Sequence, residues 1–242
     1  MGTLLNVLAI LVGAALGALL GNRLPEKMSR TLTDAMGLVV LVIGGLNLFA
    51  LQDADFTSAV GASGTLLVVL GALLIGGMLG SAIGIEGRLE QFGSWLQRKT
   101  SRGSGDKDRF IEGFVNASLL FTIGPMAVLG ALQDGLGQGF DVLALKSTLD
   151  GFTSVAFGAT FGWGVAFSAL PVGLWQGLLY VLAIGLGASL SQAVIAAITA
   201  TGGILLLGTG LRVLQIRMVN VADLLPALVM APLLVLLVDA LI

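Results

Sequence analysis

The segment Lys146-Ser-Thr-Leu-Asp-Gly-Phe-Thr-Ser154 places a lysine and an aspartate four residues apart in an otherwise apolar part of the chain. On a helix of about 100° per residue, the polar residues between 146 and 168 share a stripe about 120° wide. They are Lys146, Ser147, Asp150, Thr153, Ser154 and Ser168. A stripe of this kind predicts a helix whose polar side faces other helices or water.

Composition places the chain in a membrane. Of its 242 residues 56% are hydrophobic and 11% are charged, and the mean hydropathy is +1.01. Soluble proteins carry about 25% charged residues. A net charge of −2 argues against nucleic acid as a partner. The sequence contains no Cys or His, the usual metal ligands, and His is the usual general base. We therefore expect no enzyme, no cofactor and no metal site.

Apolar segments long enough to cross about 30 Å of hydrocarbon recur along the whole chain. They predict a single all-α, polytopic membrane domain over residues 1–242 with about eight spans. The predicted spans are 3–21, 33–50, 62–84, 110–133, 143–169, 172–190, 193–214 and 222–241.

Basic residues predict the orientation of these spans. Lys and Arg collect in the links after the first and third spans, whereas the links after the second and fourth carry only aspartates. Because cytoplasmic links are enriched in Lys and Arg, both termini are predicted to lie outside. The link 86–109 is then cytoplasmic, and its residues 86–99 predict a short interfacial helix. Lys146 is an exception, at the outer mouth of the polar stripe.

The chain contains internal repeats. Residues 7–16 and 181–190 are identical at seven of ten positions. Weaker matches extend this to repeat A, 3–50, and repeat B, 172–214, with 62–84 as a further copy of the first span. The predicted orientation makes repeats A and B inverted with respect to the membrane, as in many secondary transporters. Gene duplication also produces channels and scaffolds.

Glycines recur on one face of the first span, at Gly13, Gly17 and Gly21. Small residues at this spacing are typical of closely packed membrane helices. We expect most of the chain's glycines to serve packing in this way.

Asp150 is the strongest candidate for function, because a carboxylate inside a membrane is costly unless it is paired, protonated or hydrated. Lys146 lies one turn earlier and within reach. With Ser147, Thr153 and Ser154, the pair predicts a contact with a substrate or ion. The alternative is an interfacial ion pair at the start of the helix.

The preceding span 110–133 supplies a second polar group: Glu112, Asn116, Ser118 and Thr122. Glu112 is also explained by a carboxylate reaching water at the cytoplasmic end, and the other three by hydrogen bonds between helices. Gly124-Pro125 follows at mid-membrane, where proline removes a backbone hydrogen bond and kinks or breaks the helix. Irregular backbone at this depth is tolerated only against protein or water. A lesser polar candidate is Asn47.

Several motifs resemble the bacterial integral-membrane family catalogued as domain of unknown function 554, the YdfK-like proteins. They are Ala117-Ser-Leu-Leu-Phe121, Met126, Asp134-Gly-Leu136, Lys146-Ser147 with Leu149-Asp150-Gly151, Gly2-Thr3 with Asn6, and Gly21-Asn22. The likeness covers essentially the full chain. It implies a polytopic inner-membrane protein, often described as a transporter without a settled substrate. Pro125 departs from the small residue expected in that family.

Together these observations predict a multi-pass transporter of the bacterial inner membrane for a small solute or ion. Its pathway is lined by the spans 110–133 and 143–169. The alternatives are a passive channel and a non-transporting scaffold or sensor. The expected partners are the solute and the lipid bilayer, with homo-oligomer formation left open.

Overall fold

A computed structural model describes residues 1–21, 25–100, 107–123, 125–186 and 191–240. Helix makes up 88% of it, and the described ranges contain no strand. The all-α prediction is confirmed. The helices are α1 Gly2–Gly21, α2 Glu26–Asn47, α3 Ala54–Val60, α4 Gly64–Ile83, α5 Ile85–Thr100, α6 Lys107–Thr122, α7 Pro125–Gly135, α8 Asp141–Phe161, α9 Gly164–Phe167, α10 Ala169–Leu186, α11 Gln192–Val213 and α12 Ala227–Asp239.

Within the described residues, six helical segments are long and apolar enough to cross a membrane. They are Gly2–Gly21, Thr33–Gln52, Gly64–Ile83, Gly164–Gly185, Gln192–Val213 and Val221–Asp239. The helices α6 and α7 pass the same test as a pair that is bent by 61°. Length and composition therefore support six spans, or seven with the bent pair, and do not confirm the predicted eight.

The predicted span 143–169 is wrong at its C-terminal end. Helix α8 stops at Phe161, because Gly162 adopts a left-handed φ of 74° that side chains rarely allow. Ser168 therefore does not belong to the polar stripe of α8. The next candidate span begins at Gly164 rather than at residue 172.

Other boundaries also differ from the predictions. Helix α2 begins at Glu26, before the predicted residue 33, and a 3₁₀ turn, Leu48–Gln52, extends it. The link after it contains α3, which the sequence analysis missed. The side chain of Asp53 caps α3 by accepting a hydrogen bond of 3.0 Å from Phe56 N. The last span divides into a 3₁₀ turn, Val221–Leu224, and α12.

Glycines bring α1 and α8 into backbone contact along their length. A Cβ atom on any of three α1 glycines would collide with a carbonyl oxygen of α8. These are Gly13 against Gly151, Gly17 against Val155 and Gly21 against Ala159. Since both numbers of each pair rise together, the two helices are parallel. The glycine face found in the sequence is thus a close helix-packing face.

Two other helix pairs are antiparallel. In the first, Gly44 of α2 lies against Gly203 of α11, and Gly37 lies against Leu214. In the second, Gly76 of α4 lies against Ala227 at the start of α12, and Gly80 lies against Asp223 in the 3₁₀ turn that precedes α12. Helix α11 is the most enclosed candidate span, with 67% of its window buried, so it forms the centre of the bundle.

Helix α5 confirms the helix predicted over 86–99 and is anchored at its first turn. Glu86 forms a buried ion pair with Arg212 at the end of α11 and accepts a hydrogen bond of 2.8 Å from Ala222 N. Phe92 and Trp95 remain about 40% exposed. One end of α5 is therefore fixed to the bundle, while its aromatic side stays open to the surroundings.

Candidate functional site

Lys146 and Asp150 form an ion pair on α8, one helical turn apart. Their exposed fractions are only 6% and 7%, so both charges are withdrawn from solvent. Asn6 of α1 is a second partner of Asp150 and donates a hydrogen bond of 3.0 Å from Nδ2 to Oδ2. Because an unpaired buried charge is costly, the lysine and the amide together stabilise this carboxylate.

The pair lines a cavity of about 170 Å³ between α2, α8, α11 and the junction of α6 with α7. Its wall is mostly apolar, and Lys146, Asp150, Thr153 and Asn47 supply its polar side chains. The other lining residues are Met36, Val39, Val40, Ile43, Leu120, Phe121, Ile123, Met126, Ala127, Leu149 and Leu206. Val39, Ile43 and Leu149 are about half exposed, so they form the rim of the cavity.

Several polar atoms at this cavity have unused hydrogen-bonding capacity. The bonds that Asp150 accepts from described residues both end on Oδ2, which leaves Oδ1 without a described partner. The ammonium of Lys146 has three N–H donors, of which one goes to Asp150. Its Nζ also lies 5.9 Å from the ring centroid of Phe121. The buried Nδ2 of Asn47 has no partner in the described part of the chain.

The break between α6 and α7 lies beside the same cavity. Helix α6 ends at Thr122 and α7 begins at Pro125, in the region where the sequence predicted a kink or break. Proline suits the first position of a helix because no intrahelical partner is needed for its missing N–H. Ile123 and Met126, on either side of the junction, both line the cavity. Gly124 itself lies outside the described residues.

Two of the predicted residues on α8 lie away from the cavity, and Ser154 packs against α1. The Cβ of Ser154 is 3.0 Å from where a Cβ on Gly13 would lie, and within the described ranges its buried hydroxyl has no partner. Ser147 is buried and donates its hydroxyl to the carbonyl of Leu143, at 2.6 Å. Neither residue lines the Asp150 cavity. Of the predicted α8 stripe, Lys146, Asp150 and Thr153 therefore meet at the candidate site.

The predicted residues of α6 lie apart from this cavity. Ser118 and Thr122 line a separate, almost wholly apolar cavity of about 410 Å³ beside Trp175 and α12. Their hydroxyls donate to carbonyls of α6 itself, each at 2.6 Å. Asn116 is fully buried, and its amide has no described partner. Glu112 is half-buried in the first half of α6 and does not line the cavity.

Asn6 is the residue that the sequence analysis missed as part of the site. The signal that could have found it is the motif of Gly2-Thr3 with Asn6, which resembles the family named above. The rest of α1 is almost uniformly apolar and gives no other indication. Asn47 was only a lesser candidate, and it enters the site because α2 lines the same cavity as the α6–α7 junction. The described residues contain no group of three or more acidic side chains that could hold a metal ion.

The sequence model of a family described as "Protein of unknown function (DUF554)" matches residues 1–236. The chain is 31% identical over 241 residues to the uncharacterized membrane protein YdfK of Bacillus subtilis (strain 168), covering 99% of this chain and 97% of YdfK. It is 31% identical over 232 residues to the uncharacterized protein YqgA of Escherichia coli (strain K12), covering 95% of this chain and 94% of YqgA. No solved structure matches the chain.

Proposed function

The chain belongs to the family described as protein of unknown function DUF554 and is a multi-pass membrane protein, and from this premise we propose that it transports a small solute or ion. The membrane is the bacterial inner membrane. The pathway runs between the spans 110–133 and 143–169, where the α6–α7 junction faces α8. We propose no catalytic role for the chain, whose sequence contains neither Cys nor His.

The observation that carries this proposal is a buried ion pair lining a cavity at a broken helix. A membrane helix loses backbone hydrogen bonds where it breaks, and such breaks are tolerated against protein or a water-lined space. Ionisable residues at this depth are expensive and usually mark a pathway. Lys146, Asp150 and the α6–α7 junction meet these conditions in one place.

The packing of α8 supports a total of eight spans. Gly2 lies against Leu143, and Gly21 lies against Ala159, so α8 accompanies α1 from end to end. If α1 crosses the membrane, α8 crosses beside it, although its polar stripe makes it less apolar than the other spans. With the bent pair as one span, α8 completes the eight.

The directions of the helices support alternating spans, in which repeats A and B are inverted, and the Lys and Arg distribution then puts both termini outside. Eight alternating spans require α1 and α8 to be parallel and α2 and α11 to be antiparallel, which matches their contacts. Asp134 accepts a hydrogen bond of 2.9 Å from Gly2 N, as expected if both lie at the outer face. Glu86 and Arg212 are paired, as expected if both lie at the inner face.

Two alternatives use other features of the same structure. A passive channel would have the same lining but would conduct without saturation or coupling. A scaffold or sensor would act through α5, whose half-exposed Phe92 and Trp95 could meet a partner. In that case, deletion of residues 86–108 would abolish function, while Asp150→Asn would be harmless.

The test measures solute flux into proteoliposomes that contain the purified chain. Light scattering reports the volume change of the liposomes after an osmotic shock with sodium chloride, potassium chloride, glycerol or L-alanine. We expect one of these probes to enter with saturable kinetics and to respond to an imposed proton or sodium gradient. Asp150→Asn should abolish this flux, and Thr148→Ala, on the exposed side of α8, should preserve it. Linear flux would favour the channel, and no flux above empty liposomes would overturn both.

A further inference from the structure

We propose that the cavity at Lys146 and Asp150 binds a small zwitterionic solute, with a carboxylate and an ammonium on one carbon atom and a short aliphatic side chain. This inference rests on the proposed function, because it names the substrate class of the same site.

The charged groups that line the cavity cancel. One ammonium and one carboxylate face it, and the remaining lining residues are neutral. A monovalent ion entering this space would leave one of three charges without a counterpart in a poorly solvated site. A zwitterion brings one charge of each sign, so each of its ends can meet the opposite charge. The total charge of the site then stays at zero.

The unused atoms at the cavity match the two ends of such a solute. Lys146 has N–H donors beyond the one given to Asp150, and Asn47 Nδ2 is a buried donor without a described partner. These donors suit a carboxylate. Asp150 Oδ1 has no described partner either, and it suits an ammonium. Asn6 donates to the same Oδ2 at 3.0 Å, so the carboxylate keeps one partner when Lys146 turns to the solute.

The wall of the cavity limits the size of the solute and the polarity of the solute's side chain. The cavity of about 170 Å³ is several times the roughly 30 Å³ that one water molecule takes up in the liquid, so it has room for a small organic solute. A solute with about six non-hydrogen atoms, such as L-alanine, is of this size. Met36, Val40 and Leu206 supply an apolar surface beyond the charged pair. This surface favours a methyl or other short aliphatic group over a polar side chain.

A series of probes of similar shape separates the classes of solute. L-Alanine carries both charges, isobutyrate only the negative charge, isopropylamine only the positive charge, and isobutyramide neither. We expect proteoliposomes with the full chain to take up L-alanine with saturable kinetics. Protein-dependent uptake of the other three, measured above that of empty liposomes, should be at least tenfold slower. If any of those three is taken up at more than a tenth of the rate of L-alanine, the solute is not selected as a zwitterion, although the protein is still a transporter. If the protein takes up none of the four solutes and neither sodium chloride nor potassium chloride, the proposed function itself is overturned.

Single charge removals give a second test through binding, measured by ligand-induced shifts of the unfolding temperature in detergent. Asp150→Asn leaves a positive site and should move the preference from L-alanine to isobutyrate. Lys146→Met leaves a negative site and should move it to isopropylamine. Thr148→Ala should keep the preference for L-alanine. If a single variant does not fold, Lys146→Met with Asp150→Leu should fold and lose L-alanine binding. Retained L-alanine binding in any of these charge variants would overturn the proposal.

Discussion

The side-chain amide of Asn6 donates a 3.0 Å hydrogen bond to the carboxylate of Asp150, although 144 residues separate them in the chain. This contact joins α1 to the ion pair of α8 at the point where the two helices run side by side. The fully buried Asn6 thereby makes α1 part of the candidate site, and its other amide atom, Oδ1, has no described partner.

Removing this amide should destabilise the protein. Asn6→Ala leaves Asp150 with Lys146 as its only described partner, and hydrogen bonds to charged groups contribute about 1.5–3 kcal/mol. We expect a loss of this size in thermal or denaturant unfolding of the detergent-solubilised protein. The control is Thr148→Ala, which removes an exposed hydroxyl bonded only to its own helix. Equal stability of the two variants would contradict the structural role of Asn6.

The ion pair should show strong coupling between its two members. Lys146→Met or Asp150→Leu alone leaves a buried charge unpaired, at a cost of about 3–5 kcal/mol, whereas the double replacement removes both charges. The double variant should therefore insert and fold better than either single one. A double-mutant cycle on unfolding free energies measures this coupling. If the pair is functional, the well-folded double variant should still lose transport, and full activity would refute the site.

The contact between α1 and α8 should be sensitive to a single methyl group. Gly17→Ala would drive a Cβ into the carbonyl of Val155, whereas a Cβ on Gly45 of α2 would meet nothing within 4 Å. Overpacking costs about 1–3 kcal/mol, so Gly17→Ala should lower the unfolding temperature. Gly45→Ala should leave it unchanged or raise it, since alanine favours helix. The opposite order would contradict the packing of these helices.

Arg212 should be essential for the fold at the end of α11. Its replacement by Met leaves Glu86 buried without its ion-pair partner, which should cost about 3–5 kcal/mol. Arg217→Met provides a matched control, because Arg217 is exposed and lies five residues further along the chain. Unfolding of both variants in detergent tests this difference. A small effect at Arg212 would show that α5 is held by other contacts.

The orientation can be tested with single cysteines, because the chain has none of its own. Gln138 follows α7 near Asp134 and is exposed, so Gln138→Cys should react with a membrane-impermeant maleimide in intact spheroplasts. Arg217→Cys, on the predicted inner side, should react only after the membrane is opened. The reverse pattern would invert the topology. Labelling of both residues from outside would contradict the number of spans between them.

The helical, membrane-embedded class and the apolar segments follow from composition and periodicity alone, because a hydrocarbon core demands long, internally bonded apolar helices. The i, i+4 pair of Lys146 and Asp150 also follows from the sequence, since both residues lie on one helix with a fixed geometry. Gly17 likewise reveals a packing face through its spacing. What each face meets is not a local property of the chain.

Only the tertiary structure decided which groups share a site. The stop of α8 at Gly162 depends on a backbone conformation that glycine permits but does not require. Ser118 shares a helix with residues of the Asp150 cavity yet lines a different one, because the two sides of α6 contact different helices. Asn6 reaches Asp150 because the glycines of α1 let the two backbones touch. Contacts of this range depend on the mutual fit of distant helices, and no periodicity within one helix encodes its neighbour.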